Sequence, residues 1–431
     1  DYAALRRQFN GAWMVNNGYS RAMALQVVAS GAADLVAFGK AFIANPDLGR
    51  RLREDAPLNA PDVATFYGGG AAGYTDYPTL DAAPAERARR VGLTLVLALA
   101  AALAAGQLRL PLPWMIGPLL ATAACGMAGL KPASSNRLRN AGLWMIGVAL
   151  GLYFTPSVMA LLLPLAPALL VGIGWAFLMA YGFYRLLLRV NGGDHASAFF
   201  SAAIGGASEM ALLAERHGGR VDRVAAAHSL RVLLVVVLIP FGFKLAGIHG
   251  IDPTVPALQE VRPLGLALLL AASAVGMALL ALLRAPNPWV LGALLVTLLI
   301  TAAGVQLSAL PKAASNAGQL FIGVALGSRF TVDFARTAPR WLAAVAAGTL
   351  GMIAASAGFA WLLAHLVGLH PATVLLGTTP GGIAEMSITA KVLQLGVPVV
   401  TAFHVTRYIA VLTLTAPLYR WLRARAAARA G

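Results

Sequence analysis

Two glutamates stand out as candidates for chemistry, because each lies inside a long apolar run of this 431-residue chain. Glu209 belongs to residues 205–210, which read GGASEM, and Glu385 belongs to residues 381–386, which read GGIAEM. An acidic side chain at such a position is a functional-site hypothesis by default, since an ionised carboxylate is costly to bury. These carboxylates could bind a proton or a cation.

The glutamates are duplicated together with their surroundings. One offset of 176 residues relates the two hexapeptides and three further pairs: His228 and His404, Arg231 and Arg407, and the segments 146–151 and 322–327. Both of these segments read Ile-Gly-Val-Ala-Leu-Gly, and the Gly-x-x-x-Gly spacing favours close helix packing. Matches at one fixed offset indicate an internal duplication, so the chain contains two copies of one repeat.

Each repeat also has a histidine and an arginine three residues apart, which puts both side chains on one face of a helix. An arginine near the centre of a membrane helix costs roughly 2.5–3.5 kcal/mol on insertion scales. The two arginines therefore need partners, and we expect the two glutamates to be those partners. The candidate membrane site has ten members: Gly205, Gly206, Glu209, His228, Arg231, Gly381, Gly382, Glu385, His404 and Arg407.

Two interpretations of this site remain open. In the first, the glutamates bind an ion or proton for transport, as in transporters whose broken helices meet near the membrane midplane. In the second, the Gly-Gly pairs only allow close packing, and Glu and Arg form an internal structural salt bridge. The sequence has no Gly-x-Ser-x-Gly motif, no phosphate-binding loop and no histidine cluster at metal-ligand spacing. We therefore predict no catalytic residue and no metal.

Composition indicates a membrane protein. The chain is 59% apolar and 12% charged, with a mean hydropathy of +0.73, whereas about a quarter of an ordinary soluble domain is charged. The net charge of +16 comes mostly from Arg and Lys residues between the apolar runs, where they orient membrane helices. No basic helix with interleaved aromatic residues is visible, so we predict the lipid bilayer as a partner and no nucleic acid.

The chain divides into four parts by composition. Residues 1–80 have ordinary polar content, and residues 81–90 form a short linker that ends in basic residues. The first membrane repeat covers residues 91–250, and the second covers residues 251–431.

Each repeat contains six apolar runs, and the Gly-Gly pair interrupts the fifth. The loop between runs two and three has three basic residues in the first repeat and one in the second. The next loop reverses this bias, with none and three, and the loops on both sides of run five again have more in the first repeat. Cytoplasmic loops are enriched in Lys and Arg, so equivalent loops lie on opposite sides. We predict a mainly α fold of two inverted repeats, with about ten crossings, two re-entrant or broken helices and both termini in the cytoplasm.

The first 80 residues predict two strand–helix units of a parallel α/β fold, with buried strands at residues 9–15 and 33–38. Residues 36–48 resemble the last such unit of old yellow enzymes, which are FMN-dependent NAD(P)H oxidoreductases with a TIM-barrel fold. Residues 66–78 resemble that family's C-terminal tail. The resemblance implies FMN contacts at five residues: Asn17, Gly18, Gly39, Lys40 and Tyr67.

This resemblance covers only the last quarter of such a barrel. The strands that would contact the flavin ring and the substrate are absent from it, so we expect a remnant of an oxidoreductase. The alternative function is an FMN-binding NAD(P)H oxidoreductase fused to a membrane domain.

The duplicated motifs within residues 95–425 resemble the bacterial AbrB family of duplicated membrane proteins. Members are commonly labelled regulators of gene expression and sometimes ammonia monooxygenases, although no copper or iron ligand set is visible here. The resemblance implies a multi-pass protein of the bacterial inner membrane whose effect on gene expression is indirect. A transporter-like protein for an unknown small solute or ion, and a purely structural or sensor protein, both remain open, as does homo-oligomerisation.

Overall fold

The computed structural model describes all of the chain apart from residues 1–5, 7, 17, 63–76, 81–83, 191–193, 251–259, 333, 335–337 and 429–431. The chain splits into two compact units, Asp1–Gly92 and Leu93–Gly431. We call the second the membrane unit and describe each by itself.

The N-terminal unit contains a two-stranded parallel sheet, with one short helix between the strands and two after them. Its elements are β1 (Met14–Val15), α1 (Arg21–Ala29), β2 (Leu35–Val36), α2 (Lys40–Ala44) and α3 (Leu48–Glu54). The predicted serine cap is present, because the Ser20 hydroxyl accepts a hydrogen bond from the Met23 N–H at 3.2 Å. A side-chain cap of this kind satisfies a backbone donor that the first helical turn leaves free.

The predicted burial of both strands is wrong. The side chains of Met14 and Leu35, which are aligned across the sheet, are 59% and 47% exposed, and Phe9 is 55% exposed. Helix α1 has no buried residue either. Two strands of two residues each cannot cover their own apolar faces, because a stable sheet needs further strands or a packed helix layer.

The membrane unit is entirely helical within the residues described. The first repeat contains α4 (Pro84–Gln107, which begins in the N-terminal unit), α5 (Pro113–Met127), α6 (Asn136–Gly151), α7 (Pro156–Leu162), α8 (Ala166–Val190), α9 (His195–Ala202), α10 (Ala207–Arg216) and α11 (Val221–Leu245). The second repeat contains α12 (Pro263–Leu282), α13 (Pro288–Ala302), α14 (Lys312–Gly327), α15 (Pro339–Val367), α16 (Pro371–Thr378), α17 (Ile383–Leu393) and α18 (Val397–Ala428).

The fifth apolar run of each repeat is two helices separated by an extended link, as the Gly-Gly pairs predict. The link between α9 and α10 covers residues 203–206, and the link between α16 and α17 covers residues 379–382. Gly206 and Gly382 end the two links with ψ angles of 140° and 162°, which are extended values. The backbone therefore leaves the helical conformation at the same place in both copies.

Helices α5, α6, α13 and α14 pack closely through the predicted glycines. A β-carbon at Gly147 of α6 would lie 2.5 Å from the carbonyl oxygen of Val290 in α13. A β-carbon at Gly323 of α14 would lie 2.5 Å from that of Met115 in α5. Only glycine allows these backbones to approach so closely. In the first contact the glycine belongs to the first repeat and the carbonyl to the second, and in the second contact the reverse holds.

The equivalent helices α6 and α14 run antiparallel to each other. Gly142 and Gly318 face each other near the middle of the two helices. Ser328, just after the end of α14, donates a hydrogen bond to Ser134, just before the start of α6, at 3.1 Å. The end of one helix therefore lies beside the start of its counterpart.

Within the part of the chain that the structure describes, six helices are long and apolar enough to cross a membrane: α4, α8 together with the preceding α7, α11, α12, α15 and α18. Helices α5 and α13 are apolar but have only 15 residues each. The chain is therefore a membrane protein by the length and composition of its helices.

Candidate functional site

The two helix breaks face one cavity of about 390 Å³. All ten residues of the predicted membrane site line this cavity, five from each repeat. Two stretches that are 176 residues apart in the sequence are thus brought together in space. The cavity is where any solute would meet both copies of the motif.

Arg231 is bound to the first helix break rather than to a carboxylate. Its guanidinium donates to the carbonyl oxygens of Ser201 at 3.3 Å and Ala203 at 3.1 Å, and to Nδ1 of His228 at 2.9 Å. These carbonyls belong to the end of α9, where the last helical carbonyls have no partner within the helix. A cation is also favoured there, because the C-terminus of a helix carries partial negative charge.

Arg407 repeats this arrangement at the second break. It donates to the carbonyl oxygens of Thr379 at 2.7 Å and Gly381 at 2.6 Å, and to Nδ1 of His404 at 2.7 Å. Both arginines are buried, and of the carbonyls they bind, that of Thr379 also accepts from the Gly381 N–H at 2.8 Å. We call Arg231 with His228, and Arg407 with His404, the two brackets.

Each bracket histidine is held as a neutral imidazole by its two hydrogen bonds. Nε2 of His228 is 2.9 Å from the Phe200 carbonyl oxygen, and Nε2 of His404 is 2.8 Å from that of Leu376. A carbonyl only accepts, so Nε2 has to carry the proton, and Nδ1 is left to accept from the arginine. This bonding fixes both rings, because it uses both nitrogen atoms of each.

The expectation that the two glutamates pair with these arginines is wrong. Within the described residues neither Arg231 nor Arg407 lies within ion-pair distance of Glu209 or Glu385. The reason is the helix break itself, which presents backbone carbonyls closer to each guanidinium than any carboxylate.

The glutamates occupy the opposite side of each break, at the third residue of α10 and of α17. A β-carbon on Gly206 would overlap a carboxylate oxygen of Glu209, and one on Gly382 would overlap a carboxylate oxygen of Glu385. Each carboxylate is therefore folded back over the glycine that precedes its helix. This is the acidic half of a capping box, and the partial positive charge of a helix N-terminus favours it.

The cavity lining is not symmetric around the two glutamates. Tyr408 donates a hydrogen bond to Oε1 of Glu209 at 3.3 Å, whereas the residue equivalent to Tyr408 in the first repeat is Val232. Arg139 and Arg329 also line the cavity. At the 176-residue offset their counterparts are Ser315 and Tyr153, so the copies share their brackets but differ in the groups that surround the carboxylates.

Sequence reasoning missed Arg139, Arg329 and Tyr408 as cavity residues. Both arginines lie in or beside short helices near loops, where they were read only as topology signals. The signal that could have found them is the duplication, because a charged residue without a charged counterpart marks a place where the copies have diverged.

A comparison with known proteins identifies the family. The profile described as "Transition state regulatory protein AbrB" matches residues 114–423, which is most of the membrane unit. The chain belongs to the AbrB family. The uncharacterized protein YhjN of Bacillus subtilis (strain 168) is 29% identical over 340 residues, covering 72% of this chain and 87% of that protein.

The N-terminal part of this AbrB-family chain is similar to another group of proteins. The 12-oxophytodienoate reductase 1 of Oryza sativa subsp. japonica is 54% identical over 77 residues. The match covers 18% of this chain and only 20% of the length of that reductase. The match agrees with the fusion of an old-yellow-enzyme segment to an AbrB membrane domain.

Three of the five residues assigned to FMN are described by the structure, while Asn17 and Tyr67 lie outside the described residues. Gly18 follows β1 with φ +82°, and no heavy atom lies within 4 Å of a β-carbon built on it. Gly39 and the exposed Lys40 lie at the start of α2, after β2. Because β1 and β2 are parallel, both loops follow the same edge of the sheet, so they fit the phosphate end of FMN and no more of it.

Proposed function

We propose that the membrane unit binds a small solute or ion in the cavity between its two broken helices and carries it across the membrane. The observation that carries this proposal is the convergence of both breaks, from separate repeats, on one cavity of about 390 Å³. Secondary transporters place their substrate and ion sites between broken helices of two repeats in the same way. A purely structural protein has no need of such a cavity, and solute uptake separates a transporter from a sensor.

We propose the inverted-repeat architecture with about ten crossings as the frame for this site. Its support is the antiparallel packing of α6 and α14, since equivalent helices of inverted repeats run in opposite directions. Helices of 15 residues, rising about 1.5 Å per residue, are about 22 Å long, which is shorter than a hydrocarbon core of about 30 Å. Helices α5, α6, α13 and α14 would therefore cross at the centre of the protein, packed on each other.

Glu209 and Glu385 are the proposed ion-binding or proton-binding groups. Neither is engaged by the brackets, in which Nε of each arginine has no hydrogen-bond partner among the described residues, and both glutamates line the cavity. The arginines Arg231 and Arg407 hold the breaks open and fix the ends of the half-helices. In this proposal the brackets determine the shape of the cavity, and the two carboxylates bind the ion or proton inside it.

Uptake by proteoliposomes that contain the whole chain tests this function. A panel of labelled small anions, cations and neutral solutes would be offered with and without a proton gradient. We expect at least one solute to accumulate, with Glu209→Gln and Glu385→Gln each reducing its uptake at least tenfold. Glu215→Gln is the matched control, because Glu215 lies in the same helix as Glu209 but is exposed and outside the cavity lining.

Two outcomes would contradict the proposal. If neither glutamate variant changes uptake or solute-induced stabilisation while both fold normally, the cavity is structural. If Glu215→Gln has the same effect as Glu209→Gln, the loss reflects surface charge and not the site.

The regulatory description of the family is compatible with this function if the effect on transcription is indirect. We propose that the protein changes the concentration of a solute in the cytoplasm of a bacterium, with both termini on that side of the inner membrane. Glu209→Gln and Glu385→Gln, which impair uptake, should then change the expression pattern in the same way as deletion of the gene.

A second candidate function is FMN binding by the N-terminal unit. It is favoured by the 54% identity to a reductase over 77 residues and by the two parallel strands with their phosphate-side loops. It is opposed by the exposure of Met14 and Leu35, which a complete barrel would cover. The visible absorbance of flavin in the purified protein decides between binding and a remnant, and its absence would remove this candidate.

A further inference from the structure

A second cavity of about 700 Å³ lies in the membrane unit between α8, α9 and α18. Three arginines line it: Arg185 near the end of α8, and Arg423 and Arg425 near the end of α18. All three are exposed, and the lining contains no aspartate or glutamate. The cavity therefore presents three positive charges that no acidic residue in its own wall neutralises.

Most of the rest of the wall is apolar, and its polar members besides the arginines are His195, Thr415 and three tyrosines. Phe177, Leu178 and Leu188 of α8 line the cavity together with Phe199 of α9 and Leu418 of α18. A small soluble anion would gain nothing from these side chains and would leave them in contact with water. A ligand that matches this cavity has an anionic end and a long apolar part.

Amphipathic side chains surround the charged end. Nη1 of Arg185 donates to the Tyr181 hydroxyl at 3.1 Å, and the guanidinium of Arg425 lies 3.9 Å from the centre of the Trp421 ring. Tyr181 and Trp421 are both about half exposed. Tyr and Trp are enriched where a membrane helix meets the headgroup layer, because their rings prefer that boundary.

The positions of the arginines indicate which leaflet of the bilayer the second cavity faces. The C-terminal turns of α8 and α18 contribute to the same cavity, so these two helix ends lie on the same side of the protein. Arginines at helix ends mark the cytoplasmic side, whose leaflet carries anionic lipids. Basic pockets between membrane helices on that side bind anionic headgroups.

We propose that this second cavity binds one anionic phospholipid of the cytoplasmic leaflet. Arg185, Arg423 and Arg425 hold its phosphate, and an acyl chain lies along Phe177, Leu178 and their neighbours. This inference does not depend on transport, because the lipid cavity and the solute cavity are lined by different charged residues.

Native mass spectrometry of the full chain in detergent tests the proposal. The probes are phosphatidylglycerol, phosphatidylcholine with the same acyl chains, and inorganic phosphate. We expect phosphatidylglycerol to remain bound at concentrations where phosphatidylcholine and phosphate do not. Arg185→Gln combined with Arg423→Gln and Arg425→Gln should weaken phosphatidylglycerol binding roughly 100-fold, since each arginine near the surface contributes about a factor of five.

Two further variants make the test specific. The control combines Arg189→Gln and Arg420→Gln, which are exposed arginines of the same two helices outside the cavity lining, and it should bind as the unaltered protein does. Ala180→Phe adds bulk to the apolar wall and should weaken lipid binding at least tenfold without any change of charge.

The proposal is overturned if phosphatidylcholine binds as tightly as phosphatidylglycerol, or if the control loses binding as strongly as the triple variant. It is also overturned if inorganic phosphate alone competes for the arginines, because the ligand is then a soluble anion and the apolar wall is irrelevant.

Discussion

The two helix breaks of the membrane unit share an arginine–histidine bracket but differ in the residues around their glutamates. At both breaks a buried arginine donates to two backbone carbonyls and to a histidine. The carbonyls of Ala203 and Thr379 lie at matching positions, whereas the second carbonyl is that of Ser201 in one copy and of Gly381 in the other. Around the glutamates the copies differ, because Tyr408 bonds to Glu209 and no tyrosine stands at the equivalent position 232.

This comparison separates structural residues from candidate functional ones. A broken helix always leaves carbonyls without donors, so both copies need the same bracket and both have kept it. The surroundings of a carboxylate are under no such constraint. Arg139, Arg329 and Tyr408 therefore mark where the two copies have diverged around the cavity, which under the proposed function is where one copy is adapted to the solute, whereas His228 and Arg231 belong to the arrangement that both copies share.

The largest expected effect comes from removing a bracket. Arg407→Leu leaves the Gly381 carbonyl and Nδ1 of His404 buried without the arginine donor, at a cost of about 1–3 kcal/mol each, while the Thr379 carbonyl keeps its hydrogen bond from the Gly381 N–H. We expect the free energy of unfolding to fall by about 2–6 kcal/mol, measured by denaturant titration in detergent. Arg231→Leu should behave alike, and Arg189→Leu, at an exposed site on α8, should be neutral.

An unchanged unfolding free energy in both bracket variants, together with lost uptake, would reverse the comparison. The arginines would then be solute-binding groups, and the match between the copies would reflect a shared substrate contact instead of a shared backbone problem.

The next effect concerns the glycines that precede α10 and α17. Gly382→Ala places a β-carbon where the Glu385 carboxylate lies, and Gly206→Ala does the same to Glu209. Each carboxylate must then move away from its helix N-terminus, so we expect uptake to fall about tenfold while the unfolding free energy changes by only about 1 kcal/mol. Gly174→Ala is the control, because a β-carbon there meets no atom within 4 Å.

If the two glycine variants leave uptake intact, the carboxylates do not need their folded-back position. The functional assignment of Glu209 and Glu385 would then rest on charge alone, and the glycines would serve only to break the helix.

The helix breaks and the close helix contacts could be predicted from sequence, because they follow from the internal duplication and from the positions of the glycines. Gly205-Gly206 and Gly381-Gly382 break an apolar run at the same offset, and the structure has the breaks there. The close approach at Gly147 and Gly323 also follows from spacing. These outcomes are local, because they depend on what glycine permits in the backbone.

The partners of the charged groups could not be predicted, because they depend on distances across the fold. Arg231 and Glu209 looked like a pair since both are charged and both lie in apolar runs. A sequence does not show that a helix break turns its own carbonyls toward the arginine. The exposed strands of the N-terminal unit are a similar case, since the apolar runs that contain Met14 and Leu35 are buried only if another layer is present to cover them.

The smallest expected effect tests the asymmetry itself. Tyr408→Phe removes the one hydroxyl that donates to Glu209 and keeps the ring, so the loss is a single hydrogen bond to a charged group, about 1.5–3 kcal/mol at most. We expect a change of several-fold in the uptake or apparent affinity of the solute, and little change in stability.

Val232→Tyr places a tyrosine at the equivalent position of the first repeat. This variant tests whether the other glutamate, Glu385, can be given the same hydroxyl donor. If the two glutamates are interchangeable, Tyr408→Phe combined with Val232→Tyr restores uptake; if the copies have specialised, the combined variant stays as impaired as Tyr408→Phe. Restoration would contradict the view that Glu209 and Glu385 do different work, and it would make the cavity a symmetric site whose uneven lining is incidental.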